Sequence, residues 1–96
     1  MQVRNINGTT DTNCKCGSWL QHWKNFSGVR LGEHCYEKTC LEKPEVGAHG
    51  QKENDNSWYI IPLCTKYNNR RGESIELING AVLVSANKQE TCEKKK

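Results

Sequence analysis

Six cysteines in a chain of 96 residues are the feature that most constrains how this protein can fold. Only 34% of the residues are hydrophobic, and the mean hydropathy is −0.87. A domain of this size buries only about 60–65% of its unfolded surface, so this composition leaves little apolar core to offset conformational entropy. Small domains with this problem usually add disulfides or a structural metal. We therefore expect the cysteines to hold the fold together.

The start of the chain indicates which cysteine chemistry to expect. Residues 1–17 contain no signal-peptide cleavage pattern and no apolar run of about 7–15 residues. No stretch approaches the ~20 apolar residues that cross a bilayer. We therefore expect a cytoplasmic protein without a membrane segment. Cysteine clusters in that reducing compartment bind metal more often than they form bridges, so zinc is expected in preference to disulfides, which are the alternative.

The spacing of the first four cysteines is that of two close pairs. Cys14 and Cys16 form a C-x-C pair, and eighteen residues later Cys35 and Cys40 form a C-x4-C pair. In structural zinc sites each pair lies on one tight turn, and the two pairs complete a tetrahedron. The simplest assignment therefore places all four of these cysteines on one zinc ion.

Two further cysteines support a rival assignment. Cys64 ends an apolar run, and Cys92 lies near the end of the chain. In this assignment Cys35, Cys40 and Cys64 bind the zinc, and the fourth ligand is Cys16 or Cys92. A buried free thiol is the alternative role of Cys64.

Apolar periodicity and turn residues predict a single α+β domain over residues 1–96. The predicted elements are a helical segment at 18–26, strands at 45–49 and 58–64, a short helix at 65–71, and strands at 74–78 and 81–86. Asn79-Gly80 between the last two strands predicts a β-hairpin. Residues 1–13 are polar and turn-rich, and no element is predicted in them. His22 and His34 are expected to be packed or loop residues and not metal ligands.

The order of motifs over residues 35–71 resembles the HNH, or ββα-metal, nuclease module. These motifs are C-x4-C, then VGAH, a polar loop, WYIIPLC and TKYNNRR. The resemblance covers roughly 40% of the chain and depends mainly on Ala48-His49 and Leu63-Cys64. It implies a small zinc-stabilised fold with a ββα-metal-like hairpin and short helix over about 35–71.

The flanking segments complete the expected domain. A C-x-C knuckle and helix are expected at about 14–28, an extra C-terminal β-hairpin at about 74–86, and a frayed tail at 93–96. The segments NINGTTDTNCKCGSWLQHW and LVSANKQETC also resemble a family of small cysteine-rich proteins of bacteria and their phages. No activity carries over from that family.

The HNH resemblance implies metal-assisted phosphodiester hydrolysis, with His49 as the general base. A neutral imidazole can accept a proton from water near pH 7. Asn68 stands where the helix histidine that binds the catalytic metal belongs, and Tyr67 where the second cysteine of a pair belongs. A catalytic site would need a second divalent ion (Mg²⁺, Mn²⁺ or Ni²⁺), for which an amide is a poor ligand.

Carboxylates could replace the missing histidine ligand, although no spacing points to Glu53, Asp55 or Glu73. We therefore expect a zinc-binding, degenerate HNH-like module that binds DNA or RNA and cuts it weakly or not at all. The net charge of +3 permits this. The candidate phosphate contacts are the cations near the short helix and the polar loop: Lys52, Lys66, Arg70 and Arg71.

The alternative function is a non-catalytic, zinc-stapled regulatory protein that binds another protein. The predicted strand AVLVSA at 81–86 offers an edge that a partner strand can pair with. Trp58 and Tyr59 are either core residues or platforms for unpaired bases.

Overall fold

The computed structural model describes residues 2–6, 18–52, 57–70 and 72–86. Its centre is a five-stranded sheet with the order β4-β1-β2-β3-β5, in which all neighbouring strands are antiparallel. The strands are β1 (Gln2–Asn5), β2 (Val46–Lys52), β3 (Trp58–Leu63), β4 (Ser74–Glu76) and β5 (Val84–Ser85), and the helices are α1 (Trp19–Phe26) and α2 (Thr65–Asn68). The predicted α+β class is confirmed. Neither helix of the described ranges has the length and apolar content that crossing a bilayer requires.

The hairpin of β2 and β3 forms the middle of the sheet. Its register runs from Val46 opposite Leu63 to Gln51 opposite Trp58. The apolar run of β3 is buried from Ile60 onward, which confirms the strand predicted from its β-branched and aromatic residues. Pro62 lies near the end of β3, beyond the two residues that pair with β5, so its missing N–H interrupts no ladder with that strand.

Helix α1 packs on the β2–β3 hairpin through its aromatic side. Ser18 caps the helix, because its side chain accepts a hydrogen bond from the Gln21 N–H at 3.0 Å. Trp23 is fully buried, and its indole Nε1 donates to the Val82 carbonyl at 2.8 Å. The Trp23 ring also meets the Tyr36 ring edge-on, at 5.7 Å between centroids. The helix predicted at 18–26 is therefore confirmed, and it joins the sheet to the loop that carries Cys35.

Strand β1 was not predicted, and it lies between β4 and β2. Val3 faces the core and Asn5 is 1% exposed. The Asn5 side-chain Nδ2 donates to the carbonyls of Tyr67, Asn68 and Arg70 at 3.1, 2.8 and 3.1 Å. These carbonyls lie at the end of α2, where intrahelical donors run out. A side chain of β1 thus provides the hydrogen-bond donor for backbone carbonyls at the C-terminal end of α2.

The prediction of a C-terminal hairpin over 74–86 was wrong. Gly80 does form a turn with a positive φ of 76°, but β4 pairs with β1 and β5 pairs with β3, at opposite edges of the sheet. The reason lies just before the turn. Leu77 bridges to Glu37, and the Ile78 N–H donates to the Tyr36 carbonyl at 2.9 Å. The backbone groups that a hairpin would use are therefore already paired with the cysteine-bearing loop.

Gly47 allows the close approach of α1 to β2. A Cβ at this position would lie 2.5 Å from the Leu20 backbone nitrogen and 2.7 Å from the Trp19 carbonyl oxygen. Backbone atoms of a capped helix cannot give way as a flexible side chain can. A larger residue here would therefore push the helix off the sheet.

We expect Gly47→Ala to lower the free energy of unfolding by about 1–3 kcal/mol, because overpacking forces the backbone apart. Gly32→Ala is the matched control, since a Cβ at Gly32 meets nothing within 4 Å. It should change stability by no more than about 0.5 kcal/mol. Denaturant unfolding monitored by tryptophan fluorescence measures both. Equal stability of the two variants would contradict the close packing of α1 on β2.

Candidate metal centre and the His49 cleft

Three cysteines converge at one end of the β2–β3 hairpin. Cys35 and Cys40 lie on one loop, residues 35–40, which we call the knuckle loop, and Cys64 directly follows β3. The Cys35 N–H donates to the Glu42 carbonyl at 2.8 Å, and the Cys40 N–H donates to the Glu37 carbonyl at 3.1 Å. These bonds close the loop and turn both thiols towards Cys64.

The geometry of this thiol cluster (Cys35, Cys40 and Cys64) fits a tetrahedral metal ion. All three sulfur atoms lie within 4.8 Å of one another, and the Cys40 and Cys64 sulfurs are 3.7 Å apart. Thiolates held about 2.3 Å from zinc at tetrahedral corners lie about 3.8 Å apart. The donor set is also soft sulfur, which favours zinc and other thiophilic ions over magnesium or calcium. The cluster can therefore hold a metal ion with little movement.

Backbone groups are already directed at one of these sulfurs. The Glu37 N–H donates to Cys35 Sγ at 3.5 Å, and the Cys64 backbone also donates to it. Burial nevertheless raises the pKa of the Cys35 thiol to about 12. A thiol with this pKa stays protonated at neutral pH unless a cation compensates the charge of the thiolate. Metal binding here would therefore release a proton and contribute directly to folding.

The Glu37 carboxylate organises the interior of the knuckle loop. Burial disfavours its charge, but hydrogen bonds from Thr39 and from the Tyr67 hydroxyl lower its pKa overall. Thr39 donates through its hydroxyl, at 3.0 Å to Oε2, and through its backbone N–H. Glu37 thus remains an anion, and it links the loop to α2 through Tyr67.

The structure describes more of the cysteines in one zinc assignment than in the other. Cys35, Cys40 and Cys64, the core of the rival assignment, come together. Cys14 and Cys16 of the simplest assignment, and Cys92, lie outside the described residues. Neither histidine considered beside them belongs to the cluster. His22 is fully buried with its Nε2 at 2.9 Å from the Ser85 carbonyl, and His34 is exposed with its Nδ1 at 3.0 Å from the Leu41 carbonyl.

A cleft of about 300 Å³ beside α2 brings His49 and Asn68 together, although nineteen positions separate them in the sequence. We call it the His49 cleft. Trp19, Glu45 and Gly47 are among its other lining residues. Glu45 was not predicted, and it is fixed in place because its Oε1 accepts hydrogen bonds from the Thr65 backbone N–H and hydroxyl, both at 3.3 Å. No local pattern signals this role, since twenty positions separate the two residues.

His49 is held as a neutral imidazole in an aromatic environment. It is 7% exposed, and its Nε2 is buried without a hydrogen-bond partner among the described residues. The ring of Trp19 lies edge-on at 4.7 Å between centroids, and that of Trp58 at 6.3 Å. Burial, with the nearby His22, lowers the pKa of His49 to about 4. Such an imidazole is unprotonated at pH 7 but is a weaker base than a free histidine.

Among the described residues, His49 belongs to no group of three metal-ligating side chains. Within residues 2–6, 18–52, 57–70 and 72–86, only the thiol cluster brings three metal-ligating side chains together. Glu73 is exposed, and Glu53 and Asp55 lie outside the described ranges. The amide of Asn68 lines the cleft at the position where the HNH resemblance calls for histidine.

Three of the four candidate phosphate contacts lie near two tyrosine rings. The Arg70 guanidinium lies 4.5 Å and the Lys66 Nζ 6.0 Å from the centroid of Tyr67. The Lys52 Nζ lies 4.7 Å from the centroid of Tyr59. Lys66 and Arg70 are exposed, and Arg71 lies outside the described residues. Two of the four predicted cations therefore share one surface at α2.

Acidification should reveal the burial of His49. Because its folded pKa of about 4 is below the ordinary value of 6.5, the unfolded chain takes up a proton first as the pH falls. We expect the free energy of unfolding to be unaffected by this group above about pH 6.5 and to decrease between about pH 6.5 and 4, by up to about 1.4 kcal/mol per pH unit. Denaturant unfolding across this range measures the slope.

His49→Phe should remove this contribution, while His34→Gln, which changes an exposed histidine, should leave it in place. Protonation of the cysteines at low pH affects all three proteins alike, so the difference between them isolates His49. Identical pH profiles for the wild type and His49→Phe would contradict a buried, neutral His49.

Comparisons with protein-family models, with curated proteins and with solved structures gave no match to this chain.

Proposed function

We propose that this protein is a zinc-stapled module of the ββα-metal type that binds nucleic acid and does not hydrolyse it at neutral pH. One observation carries the proposal. Residues of β2 and α2, His49 and Asn68, line one cleft, and α2 directly follows Cys64 of a thiol cluster that fits a metal ion. These are the two positions to which the HNH resemblance assigns the base and the catalytic-metal ligand.

Zinc is the ion that best suits the thiol cluster. Its tetrahedral preference and its Zn–S distance of about 2.3 Å agree with sulfurs that lie 3.7 Å apart. The bound ion would supply a cross-link between the knuckle loop and the start of α2. Cys35, Cys40 and Cys64 would hold it. In a chain with so small an apolar core, such a cross-link stabilises the fold as a whole.

The residues that line the His49 cleft support the non-hydrolytic part of the proposal. Phosphodiester cleavage by a single metal ion needs hard ligands with an open position for the scissile phosphate. The cleft offers the Asn68 amide and the Glu45 carboxylate, and Glu45 already accepts two hydrogen bonds from Thr65. His49, with its low pKa, activates water poorly. These side chains suit a cleft that binds nucleic acid without hydrolysing it.

Nucleic acid binding is supported by two cations near α2 and by an exposed aromatic ring that contacts His49. Lys66 lies on α2 and Arg70 lies two residues after it, and α2 also contributes Asn68 to the cleft. Trp58 is 39% exposed and its ring approaches that of His49, so an unpaired base can stack on its free part. Glu73 and Glu76 reduce the positive field, and we therefore expect modest affinity with a strong dependence on salt.

The zinc proposal predicts one zinc ion per chain and a fold that depends on it. Saturating zinc should raise the free energy of unfolding of the chelator-stripped protein, by about 4 kcal/mol when free zinc is roughly 1,000 times its Kd. Cys40→Ser should abolish most of this gain because it removes one of three ligands. Metal analysis and denaturant unfolding with and without zinc measure the effect. Equal stability of the wild type with and without zinc would refute stabilisation of the fold by a bound zinc ion.

The nucleic-acid proposal predicts binding whose logarithmic affinity falls with the logarithm of the salt concentration. Removing two phosphate contacts in the double variant Lys66→Ala/Arg70→Ala should reduce the magnitude of that slope by about 1–2. The matched control is Lys24→Ala/Arg30→Ala, which removes the same charge from α1 and the loop after it. Fluorescence anisotropy with single- and double-stranded DNA and RNA measures the affinities.

The same oligonucleotides should stay intact at pH 7.5 with Mg²⁺, Mn²⁺ or Ni²⁺. Cutting that disappears in His49→Ala would overturn the non-hydrolytic part of the proposal. A flat response to salt, or an equal loss in both double variants, would overturn specific phosphate contact at α2 and favour a protein partner.

A further inference from the structure

The sulfur atoms of Cys40 and Cys64 are in contact, 3.7 Å apart. A disulfide bond holds two sulfurs about 2.05 Å apart, so a movement of about 1.7 Å would join them. Cys40 lies in neither a helix nor a strand, and its side chain can therefore approach Cys64 without breaking a ladder of the sheet. Cys64 lies between the end of β3 and the start of α2. A bond between the two sulfurs would connect the knuckle loop to α2.

The three members of the thiol cluster differ in how far solvent reaches them. Cys40 is partly buried, whereas Cys35 is 0% and Cys64 1% exposed. Oxidation of a cysteine requires that the oxidant reach its sulfur, so a dissolved peroxide meets Cys40 first. Cys64, already in contact with Cys40, is then placed to react with the oxidised sulfur before a second peroxide molecule arrives.

Backbone donors hold the third sulfur of the cluster in place. The Glu37 N–H donates to Cys35 Sγ at 3.5 Å, and the Cys64 backbone also donates to it. The Cys35 N–H is itself bonded to the Glu42 carbonyl at 2.8 Å. A bond between Cys35 and Cys40 would compete with the hydrogen bonds that the Cys35 sulfur accepts, and we therefore expect Cys35 to remain a thiol.

We propose that Cys40 is an oxidation site at which hydrogen peroxide converts the Cys40 and Cys64 thiols into a reversible disulfide. In the first step the Cys40 sulfur attacks one peroxide oxygen, the O–O bond breaks, and the other oxygen leaves as water with the thiol proton. In the second step the Cys64 sulfur attacks the Cys40 sulfenic acid, the S–O bond breaks, and the hydroxyl leaves as water with the Cys64 proton. Two electrons thus pass from the two thiols to one peroxide molecule.

The disulfide and a bound metal ion exclude each other. A cysteine binds a metal ion as the thiolate, and a sulfur in a disulfide carries no such charge. Oxidation would therefore release the ion from Cys40 and Cys64, while the new bond keeps the knuckle loop joined to α2. The release of metal rests on the proposed metal binding, whereas formation of the disulfide does not.

Peptide mapping of the full chain tests the inference, because a lysine or arginine separates each cysteine from the next. Trypsin therefore places every cysteine on its own peptide, with Cys40 on residues 39–52 and Cys64 on residues 53–66. The folded chain, as purified and after zinc loading, is treated with one equivalent of hydrogen peroxide, alkylated, digested without reduction and analysed by mass spectrometry.

We expect one dominant disulfide, which links peptides 39–52 and 53–66 and lowers their summed mass by about 2 Da for the two hydrogens lost. Each disulfide formed in the zinc-loaded chain should release one zinc ion to a chromophoric chelator, and dithiothreitol should restore zinc binding. A chain oxidised in guanidinium chloride is the control for folding, and it should give a mixture of cysteine pairs.

Two variants identify the role of each sulfur. Cys64→Ser should stop the reaction at the Cys40 sulfenic acid, which dimedone labels. Cys35→Ser is the matched control, and it should keep the disulfide between Cys40 and Cys64. The mapping of the wild type needs no variant to fold.

Two results would overturn the oxidation site: a dominant disulfide between any other pair of the six cysteines, or no disulfide in the folded chain. The outcome for the metal centre is separate. A chain that binds no zinc but forms the Cys40–Cys64 disulfide would refute the metal centre and support the oxidation site. A chain that binds zinc and forms no such disulfide would do the reverse.

Discussion

The meeting of Cys64 with the knuckle loop is the contact on which the arrangement of this protein depends. The knuckle loop is irregular, yet it touches most of the fold: Cys35 reaches the end of β3, Tyr36 packs on the Trp23 ring of α1, and Glu37 bridges to Leu77 after β4. Displacing the loop would therefore disturb both helices and one edge of the sheet. Three thiols at this junction allow one ion to fix all of these contacts, which suits a chain of low apolar content.

The same junction positions the His49 cleft. Helix α2 begins at the residue after Cys64, and the Asn68 N–H donates to the Cys64 carbonyl at 3.0 Å. Glu45, at the other end of the cleft, is bonded to the first residue of that helix. Cys64 and Thr65 thus connect the thiol cluster to two of the residues that line the cleft, Asn68 and Glu45.

Local sequence patterns were sufficient for the elements that carry many residues of one type. The spacing of aromatic residues predicts α1, and the run of β-branched residues predicts β3. Neither prediction needs information from the rest of the chain. Strands β1, β4 and β5 have only two to four residues, too few for alternation to stand out from chance. Asn79-Gly80 correctly predicted a turn, but the hairpin predicted across it does not form. Backbone contacts of Leu77 and Ile78 with Glu37 and Tyr36 direct this segment away from a hairpin. Spacing likewise could not show that Cys64 meets Cys35 and Cys40, since that contact depends on where β3 ends in space.

The Asn5 side chain links the first strand to the end of the last helix, across more than sixty positions of the sequence. Strand β1 precedes both of its partners in the sheet, β2 and β4, and the carbonyls that Asn5 binds. Contacts between distant parts of a chain require costly loop closure before they stabilise anything, so they slow folding. Strand β1 therefore completes its contacts only when β2, α2 and β4 have come together, and the need to join these distant segments slows formation of the sheet.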